Sequence, residues 1–508
     1  MNKNLFRPSS STAKATSPGG LTRNRAGGVA YVSETNYALA LAAVTGTFNG
    51  TFYATGADLL TDLTRLLDLA DPAFVARVAV AGAEAKMKDV PAFLTAWLMG
   101  RDAKLFEAVF PRVIRTGKML ATFWTFVRSG RAGRKSLGTA PKRAVAAWFE
   151  GRSPEQLFNT SIGVANPSVA DVLRAAHPRA ATADRVALYG YLSGKNRPEH
   201  AHSAHREGFR ASSPEALPGL VRELEAFRAD PTLPVPNVDF RALSSTKLTE
   251  EQWATIGRRM TVVQLLKNLN TLERHGVFRD RGATAEIVRK LSDEAEVRRA
   301  RPMPYEILAA YRASETSGVP EGVRAALART IDLATESVPS IEGRIVICPD
   351  VSGSMRSSVT GPSGKPSTVS CIDVAALFAS ALLRRNRDAR VMPFEVSVRN
   401  DCRLDPNRPV LENATALGSI GGGGTNCAAP LEKIAAEKIP VDCVIFISDY
   451  ESWAGGYNSR SSTMNAAWAR VKAANPGAKL VCIDLTPRTN QATPPGSPDI
   501  LQVGGFSD

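Results

Sequence analysis

Five short apolar runs alternate with helical stretches in the last third of the chain, and no other feature restricts the fold as much. The runs are Arg344–Cys348, Arg390–Val398, Val441–Ser448, Lys479–Asp484 and Ile500–Val503. Helical patterns occupy Cys371–Arg385, Ala429–Lys438 and Ser462–Ala474 between them. Strands that are apolar on both faces must be covered on both faces, which requires a doubly wound, mostly parallel sheet flanked by helices. Such an α/β (Rossmann-like) sheet gathers its ligands outside the carboxyl ends of its strands.

The chain before Pro339 has another character. Amphipathic helical stretches recur with short breaks, as in Ala57–Leu67, Phe74–Val80 and Thr261–Leu269, and alternating strand patterns are nearly absent. Several stretches start at a cap or a proline: Asp71-Pro72, Ser153-Pro154 and Ser213-Pro214. Helices of this length and number predict stacked antiparallel pairs, as in an α-solenoid, with an irregular bundle as the alternative because no strict repeat is found. The expected division is an N-terminal arm over 1–24 that is Ser/Thr/Pro-rich and disordered, an all-α region over 25–338, and the α/β region over 339–508.

Charge follows the same division. The chain holds 63 Lys+Arg and 49 Asp+Glu; residues 341–508 hold 17 and 16 of these, leaving 46 and 33 in the helical part. A basic excess confined to one region points to a polyanionic partner, nucleic acid above all. All six cysteines lie in the α/β region without a Cys-x-x-Cys pair, the pattern of buried reduced thiols in a cytoplasmic protein. No apolar stretch reaches the ~18–20 residues of a membrane span, and the N-terminus lacks the apolar core of a signal peptide.

Oxygen ligands stand where the sheet would gather them. Asp350, Ser352 and Ser354 follow the first run, Thr425 follows the glycines Gly421–Gly424, and Asp449 closes the third run. Carboxylates and hydroxyls without thiols or imidazoles form the donor set of a hard divalent cation, Mg2+ above all. Taken singly, Asp350 reads as a helix cap and the glycines as a linker. The glycines lack the Lys-Ser/Thr of a phosphate loop, so nucleotide binding is not expected. No His, Lys or further carboxylate within the motif offers a general base, although Glu451 is near in sequence. The chain is therefore expected not to be an enzyme.

Asp-x-Ser-x-Ser, a distal Gly-Gly-Thr and a later Ser-Asp resemble the metal-ion-dependent adhesion site of von Willebrand factor A domains. Gly423–Cys427 and Ser448–Gly456 are similar to the Ro autoantigen family, in which a TROVE domain precedes the A domain. Met260–Leu269, Ala300–Leu308 and Asp171–His177 resemble segments of the same family's helical part. This resemblance, over roughly residues 25–508, implies a monomeric ring of HEAT-like helical repeats followed by the A domain. It further implies partners: small noncoding (Y-type) RNA, single-stranded ends of misfolded RNA, and a 3′-to-5′ exoribonuclease such as polynucleotide phosphorylase, in RNA quality control.

The sequence has its own pointer to RNA. Lys118, Arg128, Arg131, Arg134, Lys135, Lys142, Arg143 and Arg152 meet no acidic residue before Glu150, and Gly130, Gly133 and Gly138 mark a loop among them. Unopposed cations on an adaptable loop suit a phosphate backbone. The interleaved Phe123, Trp124, Phe126, Trp148 and Phe149 fit a buried helical stripe instead. All of these cations except Arg152 are RNA-contact candidates. His177, which ends a helix before Pro178, reads by itself as a helix-terminal cap, and the resemblance makes it a further candidate. Where relatives carry Lys-Tyr and an Arg before that helix, this chain has Ser161–Pro167 with no positive charge. The contact then shifts toward Lys142, Arg143 and the loop Arg131–Lys135. Glu199, His200, His202 and His205 match no zinc spacing and read as a polar loop. The competing function is a protein-interaction scaffold whose metal captures a partner's carboxylate.

Overall fold

A computed structural model describes residues 20–24, 26–45, 48, 55–194, 214–243, 246–336, 338–359, 368–452, 463–486 and 490–505. The cluster Glu199–His205 lies outside these residues. The described residues fall into two compact units. One draws on residues 1–70 and 257–508, the other on 71–256.

The sheet of the first unit is parallel throughout. Its strands are β3 (Ile345–Pro349), β4 (Arg390–Val391), β5 (Cys443–Ser448), β6 (Lys479–Asp484) and β8 (Ile500–Gly504), ordered β4-β3-β5-β6-β8. β1 (Leu21–Arg23), β2 (Val29–Val32) and β7 (Asn490–Gln491) form a second, antiparallel sheet in the order β1-β2-β7. In the larger sheet the first strand in sequence lies between the second and third, so the winding reverses at β3. The crevice at the carboxyl ends of β3 and β5 is then the place for a ligand.

β3 and β5 are buried along their whole length, as expected for strands covered on both faces. Phe446 and Phe394, both fully buried, meet edge-on with ring centroids 5.4 Å apart. Around them Leu431, Ile434, Met464, Trp468 and Val471 from two helices close one face. Helix Cys371–Arg385 is capped by Ser370, whose hydroxyl accepts from Asp373 N while Asp373 accepts from Ser370 N.

Several expected elements change. The run Arg390–Val398 keeps only Arg390–Val391 as regular strand, although its pairing with β3 continues through Met392 N to Ile347 O (2.8 Å) and Phe394 N to Pro349 O (3.1 Å), after which Phe394 and Val398 bridge and the chain turns back. Helix Val410–Gly418, which begins after Pro409, was not anticipated. Residues 21–23, placed by sequence in the arm, form β1. The segment near 338–343 is not a packing boundary either. Val410 N donates to Asp332 at 3.0 Å, Arg384 pairs with the same carboxylate at 3.3 Å, and Arg312 reaches Asp373 at 3.3 Å.

The second unit is helical, as expected. Its core is aromatic: Phe93 and Phe126 lie 5.0 Å apart, and Phe123 packs against Phe106 and Phe110 at 6.2 and 5.3 Å. Among the described residues no helix is long and apolar enough to cross a membrane. In the first unit, Phe446→Ala should cost about 3–5 kcal/mol of stability, because the cavity left between the sheet and its covering helices cannot fully collapse. Denaturant unfolding followed by tryptophan fluorescence would measure it.

Candidate metal centre and basic surface

Parallel pairing sets the first part of the centre. Pro349 lies opposite Ile447 in the β3–β5 register, and Asp350 N continues the ladder to Ile447 O at 2.9 Å. Asp350 is thereby fixed beside Ser448, whose hydroxyl donates to Asp350 Oδ2 at 2.6 Å. Asp350 Oδ1 accepts from Ser352 N at 2.8 Å, which turns the loop back on itself, and the Ser352 and Ser354 hydroxyls lie 3.3 Å apart.

The glycine loop is held against this turn through its backbone, and the Arg356 side chain adds a bond to Ile420 O at 3.0 Å. Gly422 N donates to Val351 O at 2.9 Å and Gly353 N to Gly423 O at 2.8 Å. Gly421 is left-handed (φ 78°), and a Cβ there would overlap the Val351 carbonyl oxygen; only glycine meets both conditions. Glu395 accepts from Gly423 N at 2.7 Å and from Arg399 at 2.8 Å, which fixes the far side of the loop. Thr425 then comes in buried, and its carbonyl accepts from the Ser452 hydroxyl at 3.3 Å.

All five sequence-predicted oxygen residues, Asp350, Ser352, Ser354, Thr425 and Asp449, are buried, on three loops bonded to one another or to the adjoining strand. Burial, and after it the charge of Asp449, push the Asp350 carboxyl well above the ordinary carboxylate range. Two carboxylates held this close out of water repel unless a cation or a proton lies between them. Among the described residues no group of three or more His, Cys, Asp and Glu is arranged to hold a metal. The two carboxylates and three hydroxyls here could hold only a hard ion. Ser448 was not singled out from sequence, although its place before Asp449 was the available signal. Glu451 is buried, and its carboxylate accepts from Ala26 N at 3.3 Å.

The basic residues of the second unit separate into two groups. Helices Gly117–Ser129 and Thr139–Glu150 bury Phe123, Trp124, Phe126, Trp148 and Phe149. Lys118, Arg128, Arg131, Arg134, Lys135, Lys142, Arg143 and His177 are exposed. Arg128, Arg131, Arg134, Lys135, Lys142 and Arg143 surround the loop between the helices, where Gly130 (φ 76°) and Gly133 (φ 91°) are left-handed. Arg143 pairs with Glu107 at 3.3 Å, both well exposed, a weak contact that RNA can displace.

His177 caps helix Val169–Ala176 in a left-handed conformation. It lies toward the other end of helix Thr139–Glu150, where Arg179 N donates to Glu150 at 2.8 Å. The two ends of that helix are about 18 Å apart, so about one helix length separates His177 from the loop. Arg115 and Arg179, both exposed, were not singled out from sequence; Arg179 lies two residues beyond His177, and the Arg115 carbonyl accepts from Arg152 at 2.8 Å. Arg152 belongs to the scaffold: it lies 3.7 Å over Trp148 and donates to the Trp148 and Arg115 carbonyls at 2.6 and 2.8 Å.

Comparison with known proteins agrees with this architecture. The family model of the Ro60 vWA domain matches residues 344–508, and that of the TROVE domain matches 196–324. The chain belongs to the Ro family. It is 29% identical over 523 aligned positions to the RNA-binding protein RO60 of Deinococcus radiodurans, covering 95% of this chain and 92% of that protein. The RNA-binding protein RO60 of Caenorhabditis elegans is 24% identical over 225 positions, 42% of this chain and 33% of that protein. The crystal structure of the Deinococcus radiodurans RO (RSR) protein superposes with a TM-score of 0.65 at 24% identity, over 93% of this chain and 97% of that one, a likeness of fold. The basic loop and His177 precede the span that the TROVE model matches.

The repulsion across the centre has a measurable sign. A carboxyl whose value is raised on folding removes stability as pH climbs above its unfolded value near 3.8. With chelator at pH 7, Asp449→Asn should therefore stabilise the fold by on the order of 1 kcal/mol and raise the thermal midpoint. Calorimetry of the two chelated proteins would check it.

Proposed function

We propose that this protein is a non-enzymatic RNA-binding protein that also carries a Mg2+ centre in its A domain. The observation carrying the RNA reading is the set of exposed cations around the loop 130–138, in a chain whose relatives are named for RNA binding. Basic side chains there neutralise phosphates and release counterions, and a loop with two left-handed glycines adapts to backbone shape rather than to base sequence. The RNA class in this proposal is small structured noncoding RNA of the Y type, together with misfolded RNA that has a single-stranded 3′ end. A 3′-to-5′ exoribonuclease would be the protein partner in RNA quality control. Six free cysteines, five of them buried, support a cytoplasmic location.

Mg2+ fits the second part of the proposal. It retains several waters and binds through one or two carboxylates. Asp350 and Asp449 would supply these, with Ser352, Ser354 and Thr425 as hydroxyl donors. When bound, the ion neutralises the two carboxylates and offers an open position to an outside oxygen ligand. Ser448 and the Ser352 backbone N–H orient Asp350 for it, and the glycine loop brings Thr425 within range.

The full-length protein should bind structured RNA with a 3′ tail, with affinity falling steeply across a salt series. Replacing Lys135 and Lys142 with Ala should reduce the slope of log K against log salt by about 1.8, two phosphate contacts at ~0.9 each. An unchanged slope, or binding insensitive to salt, would exclude the surface. Asp350→Ala should abolish Mn2+ binding in titration calorimetry while RNA affinity stays within about twofold.

A further inference from the structure

The loop that carries Asp449 is held from an unexpected direction. Tyr450, next to Asp449, has a left-handed backbone (φ 51°), a conformation that a non-glycine residue keeps only where the surroundings impose it. Its N–H is taken by the Ser448 hydroxyl at 3.0 Å. Its carbonyl and that of Ser452 face the β1–β2 hairpin, more than 400 residues away in sequence. There Asn24 Nδ2 donates to Ser452 O at 2.7 Å and lies 3.5 Å from Tyr450 O. The hairpin also offers Ala26 N to Glu451. Asn24 itself is buried, and its Oδ1 accepts from Gly28 N at 2.7 Å inside the hairpin. One amide group thus closes the hairpin with its oxygen and grips the metal loop with its nitrogen.

The grip extends to the second metal loop. The Ser452 hydroxyl donates to Thr425 O and accepts from Cys427 N at 3.4 Å. Asn24 therefore fixes the residue that links Asp449 to Thr425, and the hairpin is seated by β2 pairing with β7, Tyr31 opposite Gln491.

We propose that the N-terminal β1–β2 hairpin, through Asn24, is the clamp that sets the Asp449–Ser452 turn in its cation-binding geometry. Asn24 is a positioning residue, and metal affinity and hairpin docking are thermodynamically linked. The inference rests on the Mg2+ reading of the centre. By reciprocity, a cation that needs the clamped turn must also tighten the hairpin.

The test is Mn2+ titration of the full-length protein, read by electron paramagnetic resonance, together with amide exchange of residues 26–32 with and without Mn2+. Asn24→Ala is expected to weaken Mn2+ binding about tenfold, the effect usual for residues that orient metal ligands. Mn2+ should slow exchange in the hairpin of the native chain and not in the variant. Asn24→Asp guards against simple misfolding, since it keeps an oxygen for Gly28 N and loses the donor to Ser452. Its added negative charge near the cation would by itself tighten binding, so weaker binding in this variant also supports the clamp. Wild-type binding with both variants within about twofold, or a hairpin insensitive to Mn2+, would overturn the clamp and leave the metal centre standing. A native chain that binds no Mn2+ would overturn both.

Discussion

Two carboxylates buried at the ends of neighbouring parallel strands set the terms for the rest of the A domain. Asp350 follows β3 and Asp449 follows β5, and burial in each other's field disfavours the charged state of Asp350. The surrounding structure resists that repulsion. The Ser448 hydroxyl and the Ser352 N–H occupy both oxygens of Asp350, and the glycine loop is bonded to the Val351 and Gly353 backbone. Prearranged donors of this kind hold both carboxylate oxygens of Asp350 in fixed directions.

The reversal of winding at β3 explains why the centre stands where it does. Connections leave β3 toward β4 on one side and reach β5 on the other, so the loops after β3 and β5 diverge and open a crevice between them. The loop after β3 folds into the crevice because Gly353 and Gly421 allow two backbones to pass at contact distance. The loop after β5 folds into it through a left-handed Tyr450 whose ring is buried in the sheet core. The inward-facing carboxylates thus sit on strained and closely packed backbone, supported by residues from both termini of the chain.

The helical unit is governed by a different balance. Its aromatic residues are spent on the core, as the packing of Phe106, Phe110 and Phe123 shows, so contact with a partner falls to charge. The cations near the loop 130–138 stay in solvent, whereas Arg152 is drawn onto Trp148 and the carbonyl groups at a helix end. Proximity in sequence is a poor guide to such a surface, since one helix length separates the loop from His177.

The sequence by itself determined the strand–helix alternation, the five oxygen residues and their positions after the strands, because apolar periodicity and strand-end polarity are local properties. His177 as a helix terminus, and the aromatic stripe as core, were legible for the same reason. Tertiary structure alone decided three other matters. It shortened Arg390–Val398 to two regular strand residues, because the chain turns back after Phe394, which bridges Val398. It drew Leu21–Arg23 and Asn24 from an apparently featureless arm to the Asp449–Ser452 loop, through hydrogen bonds to backbone carbonyls that carry no side-chain signature. It also parted His177 from the basic loop. Each depends on contacts between residues distant in the chain, and local residue preferences do not encode which distant backbone a polar side chain will meet.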